Sequence, residues 1–368
     1  MSRAARARPN GVALVAGGTG GHVYPAIAVA DALIDIAPTV RTHFAVDARP
    51  ASGEAVRRSG YEPLVLPMAR GLQRSLRLRD VWDSCVAAIA VVRSFVRSVV
   101  WLRRIRPAAV VGFGAYVTVP VVMAARVLRI AVVVHEQNGV PGLANRLAVR
   151  LGARAAISVP GTSLRNAVLT GNPIRPEIVR IVRDPQSPPL VAFVGASLGA
   201  RVLNEGALDL YDRWRDRDDV ALRLVSGVDH YDDCRARLDA LRRPDDRLAF
   251  ELVAYEYDMA GLYTRASLMV TRSGGTIMEL AAAGMPAIVV PWDGATEDHQ
   301  SANARAVAEA GGARPIREIE CDGARLAAEI DSLVSDPEAL TKMSEAMRAF
   351  ARPDAAAALA ELVLRTAS

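Results

Sequence analysis

Short apolar runs alternate with longer stretches of helical periodicity from one end of the chain to the other. Residues 12–16 are an unbroken apolar run, the pattern of a strand buried on both faces of a parallel sheet. The loop Gly17-Gly18-Thr19-Gly20-Gly21-His22 follows it. Next comes a predicted helix with Pro25 early and Ala26, Ile27, Val29, Ala30, Leu33 and Ile34 at helical spacing. Further strands are predicted at 42–46, 108–112 and 131–135. The pattern then restarts: a strand at 190–194, the loop Gly195-Ala196-Ser197-Leu198-Gly199-Ala200, and a helix from about Arg201. Strands at 221–226, 268–271 and 287–290 complete the second series. Two series that each open with strand, small-residue loop and helix predict two doubly wound, Rossmann-like α/β domains. Gly171, Pro173, Pro176, Pro185, Pro188 and Pro189 cluster at the join. The expected organisation is therefore 1–168, 169–352, and a C-terminal helix at 353–368 packing back on the first domain.

A length of 368 residues agrees with two domains of ordinary size. Cys85, Cys234 and Cys321 lie far apart, which excludes a disulfide scaffold and a zinc ribbon and points to a reducing compartment. Arg3, Arg6 and Arg8 precede an apolar run too short for an export signal. The longest apolar stretch, 81–102, contains Asp83, Arg93 and Arg97, charges that argue against a membrane span. The net charge of +5 hides an asymmetry. Residues 1–168 hold 22 arginines against 8 acids, a net of +14, whereas the remainder is −9. With a single lysine, Lys342, the arginine bias reads as base composition and no nucleic-acid partner is expected. A basic half suits an anionic lipid surface. Arg70, Arg74, Arg77 and Arg79 precede the stretch 81–102, and Arg103, Arg104 and Arg106 follow it. Trp82, Ile89, Val92, Phe95, Val96, Val99 and Trp101 supply apolar area between these cations. A core-packed helix with arginine ends is the plainer alternative.

Candidate chemistry sits where loops follow strands. The glycine loop ending in Gly20 and Gly21 opens a helix, an anion-binding arrangement, and His22 is a candidate general base. Asp47 follows the second strand, where a nicotinamide enzyme would place its ribose-binding acid, but the glycine spacing is not that of a dinucleotide site. His135-Glu136-Gln137-Asn138-Gly139, followed by Asn145, is a polar cluster at a strand end, suited to sugar hydroxyls. No H-E-x-x-H spacing follows it, and Asp216-x-Asp218 lies in a charge run, so no metal site is expected. Arg272-Ser273-Gly274-Gly275-Thr276 reads as a second anion-binding helix start fit for a diphosphate. Glu279 lies one turn on, placed to take ribose hydroxyls, and His299, Gln300 and Asn303 follow a later strand.

These motifs occur together and in order, and the chain resembles the MurG family of bacterial peptidoglycan glycosyltransferases, family 28, of the GT-B type. The segments Gly112-Phe113-Gly114-Ala115-Tyr116 and Gly171-Asn172-Pro173-Ile174-Arg175 add to the likeness, which covers nearly the whole chain. The resemblance implies two Rossmann-like domains facing across a cleft. It also implies inverting transfer of N-acetylglucosamine from UDP-N-acetylglucosamine to the muramyl C4 hydroxyl of lipid I, giving lipid II, with no metal or other cofactor. His22 and Glu136 would be catalytic, with Thr19, Tyr116 and Asn145 on the acceptor side. Thr19, Gly20, Gly21, Asn138, Arg175, Ser197, Ser273, Gly274, Gly275 and Thr276 would meet the donor. Tyr255 and Glu256 would lie by the uracil, Glu279 by the ribose, and His299, Gln300 and Asn303 by the N-acetylglucosamine. Peripheral attachment to the anionic cytoplasmic face of the cell membrane, and partners among wall-building and division proteins, are implied too. Ala115 and Ala196 stand where the family usually has glycine, Leu198 where it often has glutamine, and the stretch from Arg272 to Glu279 is one residue short. Another UDP-sugar-dependent transferase, or a catalytically silent sugar-nucleotide binder, are the alternatives.

Overall fold

The computed structural model describes residues 11–18, 20–67, 78–195 and 199–367. Thr19, Arg70, Arg74, Arg77, Ala196, Ser197 and Leu198 lie outside these, as does the side chain of Trp82. The chain forms two compact units.

The first unit holds a parallel sheet of β1 (Gly11–Ala16), β2 (Arg41–Val46), β3 (Pro63–Val65), β4 (Ala109–Gly112), β5 (Ala131–Glu136), β6 (Arg154–Ile157) and β7 (Val168–Leu169). Their order is β3-β2-β1-β4-β5-β6-β7. Its helices are α1 (Gly20–Ile36), α2 (Pro50–Arg58), α3 (Leu78–Ile105), α4 (Thr118–Val127) and α5 (Leu143–Arg150). Successive residues of β1 point to opposite faces and feed two cores. Val12, Leu14 and Ala16 join the cluster containing Val23, Ile27 and Val29 of α1. Ala13 and Val15 join the one containing Val121, Val122 and Ala125 of α4. This two-sided burial explains why the strand is apolar throughout.

The second unit holds β8 (Leu190–Val194), β9 (Ala221–Val225), β10 (Ala249–Val253), β11 (Leu268–Thr271), β12 (Ala287–Val289) and β13 (Ala313–Pro315), in the order β10-β9-β8-β11-β12-β13. The helices after Arg175 are α6 (Pro176–Val179), α7 (Arg201–Trp214), α8 (Tyr231–Leu241), α9 (Met259–Arg265), α10 (Thr276–Ala283), α11 (His299–Glu309), α12 (Gly323–Val334), α13 (Pro337–Phe350) and α14 (Ala355–Ala367). Both sheets have the 3-2-1-4-5-6 order of doubly wound folds, which gathers ligand sites beyond the strands' carboxyl ends.

The boundary that closes the first unit lies later than the sequence expectation. The first unit runs to Arg175 rather than 168, because β7 pairs with β6 and the chain after it is tied down by His135. The chain from Pro353 onward belongs to the first unit, with Leu359, Leu362 and Val363 of α14 buried in the α1 cluster.

Candidate active site

In the first unit the glycine loop is clasped from the neighbouring strand. β1 and β2 pair with Ala16 opposite Val46, so Asp47 emerges beside Gly17. The Gly18 N–H donates to Asp47 Oδ2 at 2.7 Å, and Ser52 Oγ donates to the Gly18 carbonyl at 3.2 Å. Gly18 has φ +90°, a left-handed conformation that glycine adopts without strain. A Cβ on Gly17 would come within 2.8 Å of Val117 and 3.0 Å of Asp47. Buried Asp47 thus holds the loop, and the carboxylate that a nicotinamide ribose would need is already engaged.

His22 lies in the first turn of α1. The Gln137 amide Nε2 faces its Nε2 at 3.2 Å. An amide nitrogen only donates, so in this orientation Nε2 of a neutral imidazole carries the lone pair. Gly114 leaves the ring its space, since a Cβ there would lie 3.1 Å from His22 Cδ2 and Nε2. Tyr116 is exposed two residues on, and Ala115 between them has φ +60°. Arg175 stacks its guanidinium over Tyr24 of α1, 5.3 Å from the ring centre.

The polar cluster after β5 divides into different tasks. His135 is 1% exposed, with Nε2 3.1 Å from the Gly171 carbonyl and 2.9 Å from Ser158 Oγ. Burial pushes its imidazole down to about 4, against a smaller upward pull from the Gly171 bond. It is a neutral pin for the segment after β7. Glu136 is also buried, and its Oε2 accepts from Asn145 Nδ2 at 2.8 Å and the Gly142 N–H at 3.0 Å. Asn145 further donates to the His135 carbonyl at 3.0 Å. The structure therefore gives Glu136 a loop-organising arrangement, with Asn145 Nδ2 bridging its carboxylate and the His135 carbonyl.

In the second unit, α10 starts directly beyond β11. Gly275 occupies its N-cap position and no side chain caps it; the Ile277 and Met278 N–H groups bond the Gly274 and Gly275 carbonyls at 3.2 Å, so Gly275 and Thr276 carry the uncapped N–H groups of this helix start. A Cβ on Gly274 would meet nothing within 4 Å, so packing does not demand glycine there. Ser273 is buried, and its Oγ donates to the Gln300 carbonyl at 2.8 Å. Arg272 donates to the carbonyls of Val290 and Pro291 and pairs with Glu318. Glu279, in the first turn of α10, accepts from the Tyr263 hydroxyl at 3.2 Å. His299 begins α11 just after two left-handed residues, Glu297 and Asp298. Gln300 Oε1 accepts from the Trp292 N–H at 3.0 Å.

Two donor candidates take a supporting place instead. Asn303 is 1% exposed and its amide is fully used: Nδ2 donates to the Ser273 carbonyl and Asn138 Oδ1, and Oδ1 accepts from the Gly139 N–H at 2.8 Å. Residues Asn138–Val140 are grouped with this unit. Glu256 pairs with Arg223 at 2.7 Å and accepts from the Asp258 N–H at 2.9 Å, so its carboxylate anchors the turn beyond β10. Tyr255 remains exposed beside it and meets Tyr257 edge-on, with ring centres 4.8 Å apart. Gly199 is sterically required, since a Cβ would lie 2.0 Å from the Ser226 carbonyl oxygen.

Residues 12–157 match the N-terminal domain of glycosyltransferase family 28, and residues 190–359 match its C-terminal domain. The chain belongs to glycosyltransferase family 28. Two similar proteins carry the name UDP-N-acetylglucosamine--N-acetylmuramyl-(pentapeptide) pyrophosphoryl-undecaprenol N-acetylglucosamine transferase. One, from Rhodopseudomonas palustris (strain BisB5), is 37% identical across 97% of this chain and 98% of its own. The other, from Desulforudis audaxviator, is 34% identical over the same shares. The crystal structure of Acinetobacter baumannii MurG matches 97% of this chain and all of its own, with 26% identity and a TM-score of 0.78. This family 28 protein is a hexosyltransferase with two Rossmann-like domains.

Three residues of this family 28 site carry roles that the sequence reading did not assign: Asp47, Ser52 and Gln137. The signal for Asp47 was its place at the end of the strand next to β1. Gln137 stood inside the polar motif, but only the fold shows that it faces His22, 115 positions away.

Proposed function

We propose that this glycosyltransferase moves N-acetylglucosamine from UDP-N-acetylglucosamine to the C4 hydroxyl of the muramyl sugar of lipid I, with inversion, to give lipid II. The observation that carries the reading is the match of both family domains, and of 97% of the chain, to relatives bearing that transferase name. The acceptor hydroxyl displaces the Gln137 N–H from His22 Nε2, which takes the hydroxyl proton while the acceptor oxygen attacks the anomeric carbon. The bond from that carbon to UDP breaks and UDP leaves with the electron pair. The open start of α10 at 273–276 and the Arg175 guanidinium take up the diphosphate charge, so the step calls for no metal. Glu279 takes the ribose hydroxyls, Tyr255 the uracil, and His299 and Gln300 the transferred sugar. Gln137, Glu136, Asn145, Asn303 and Glu256 position these groups from behind.

The same reading places the protein peripherally on the anionic cytoplasmic face of the membrane. No helix among the described residues is long and apolar enough to cross a bilayer. α3 instead divides its apolar residues between two sides. Phe95, Val99, Trp101 and Ile105 pack against the core, whereas Ile89, Val92, Val96 and Val100 form an exposed stripe beside Arg93 and Arg97. An apolar stripe flanked by cations is the surface that docks on anionic lipid.

The test is turnover of labelled UDP-N-acetylglucosamine with a lipid I analogue, with and without a chelator. The reading expects a labelled disaccharide lipid in both arms. Donor binding without transfer would leave a silent sugar-nucleotide binder, transfer only to another acceptor would make it a different transferase, and chelator sensitivity would overturn the metal-free step.

A further inference from the structure

At the amino ends of β1, β4 and β5, remote from the glycine loop, the first unit carries a half-open cavity of about 990 Å³. This is at the upper end of the roughly 300–1,000 Å³ usual for small-molecule sites. Leu102, Leu128 and Leu364 line it, together with Arg103, Arg106 and Arg129, and no acidic side chain among the described residues does. Among the described residues none of these three arginines makes an ion pair or a side-chain hydrogen bond. The carboxyl ends of α3, α4 and α14 meet here and bring about half a negative charge each, which three guanidiniums outweigh. The site is therefore both apolar and net positive.

Two of the arginines occupy positions that the fold elsewhere gives to glycine. α2, α5, α10 and α11 are each followed, within two residues, by a glycine of positive φ: Gly60, Gly152, Gly284 and Gly311. α3 and α4 are followed instead by Arg106 at φ 47° and Arg129 at φ 59°. Glycine would relieve the backbone at both places, so turn geometry does not account for the arginines. Both line the same cavity. The exposed stripe of α3 also leads there: Ile89, Val92, Val96 and Val100 continue at helical spacing to Arg103. On α4, exposed Met123 and Val127 lead at the same spacing to Ile130, another lining residue.

We propose that this cavity binds one anionic phospholipid, with its phosphate on Arg106 and Arg129 and an acyl chain along Leu102, Leu128 and Leu364. The proposal rests on the reading of α3 as membrane-facing but claims something separate, a saturable site for a single lipid. The full-length protein is titrated with dihexanoyl phosphatidylglycerol kept below its micelle concentration, with dihexanoyl phosphatidylcholine in parallel, by calorimetry and native mass spectrometry. The expected result is one phosphatidylglycerol per chain, with phosphatidylcholine at least about tenfold weaker. Arg106→Gln/Arg129→Gln, at an unchanged unfolding midpoint, weakens phosphatidylglycerol by about tenfold or more. Ala367→Trp, which narrows the cavity from α14, weakens it too. Val92→Ser/Val96→Ser leaves this monomer binding unchanged while reducing flotation with phosphatidylglycerol vesicles. If the stripe variant floats normally, the docking reading fails by itself. Equal binding of the two lipids, no saturation at one per chain, or a double-arginine variant within about twofold of wild type overturns the cavity proposal. Tighter binding of laurate than of phosphatidylglycerol also overturns it.

Discussion

His22 and Gln137 show how much of the chemistry rests on single contacts. His22→Ala is expected to lower turnover by roughly 100-fold or more, the usual contribution of a general base. Gln137→Leu should lower kcat with little change in donor KM, since the amide orients the ring and does not meet UDP; steady-state kinetics separate the two. Ala115 departs from the family glycine at a position with φ +60°. Ala115→Gly should therefore raise stability by about 1 kcal/mol, read from the denaturant midpoint, because the left-handed Cβ clash disappears. His135 titrates near 4 in the folded protein and near 6.5 when unfolded. The folded state thus binds fewer protons between these values, and the stability this difference contributes is complete above pH 6.5. It is lost as pH falls toward 4, by about 3 kcal/mol. Chemical denaturation across that window should show the slope in wild type and its absence in His135→Gln.

Among elements, α10 offers the cleanest separation of binding from folding. A methyl on Gly274 meets no protein atom, yet it would stand where backbone N–H groups must approach a diphosphate. Gly274→Ala should leave the unfolding midpoint unchanged and raise the UDP-N-acetylglucosamine KM by about tenfold. An unchanged KM would remove the diphosphate from this helix start. The long central strands and the two strand–loop–helix openings were legible because burial on both faces makes β1, β5, β8 and β11 continuously apolar. β3, β6, β7, β10 and β13 were not predicted. β3, β7 and β13 have only 3, 2 and 3 residues, too few for periodicity to register against their surroundings, while exposed Arg154 opens β6 and exposed Glu251 interrupts β10, so neither reads as an apolar run.

For the molecule as a whole, the charge asymmetry belongs to electrostatics rather than to fold. The basic first part should make binding to anionic vesicles weaken steeply between low and physiological salt, whereas binding that persists unchanged in salt would assign attachment to apolar contact alone. The amino-acid order alone determined the doubly wound architecture, the two glycine loops, and the residue types that face sugar and phosphate chemistry, because each is written in local spacing. Tertiary structure decided which of those polar groups are spent inside the protein. In sequence Glu136, Asn303, Glu256 and Asp47 read simply as polar groups beyond strand ends. Only the partners that the fold brings to them show that each holds a loop or a turn. A buried polar group must be satisfied, and its partner is chosen by the fold rather than by its neighbours in the chain.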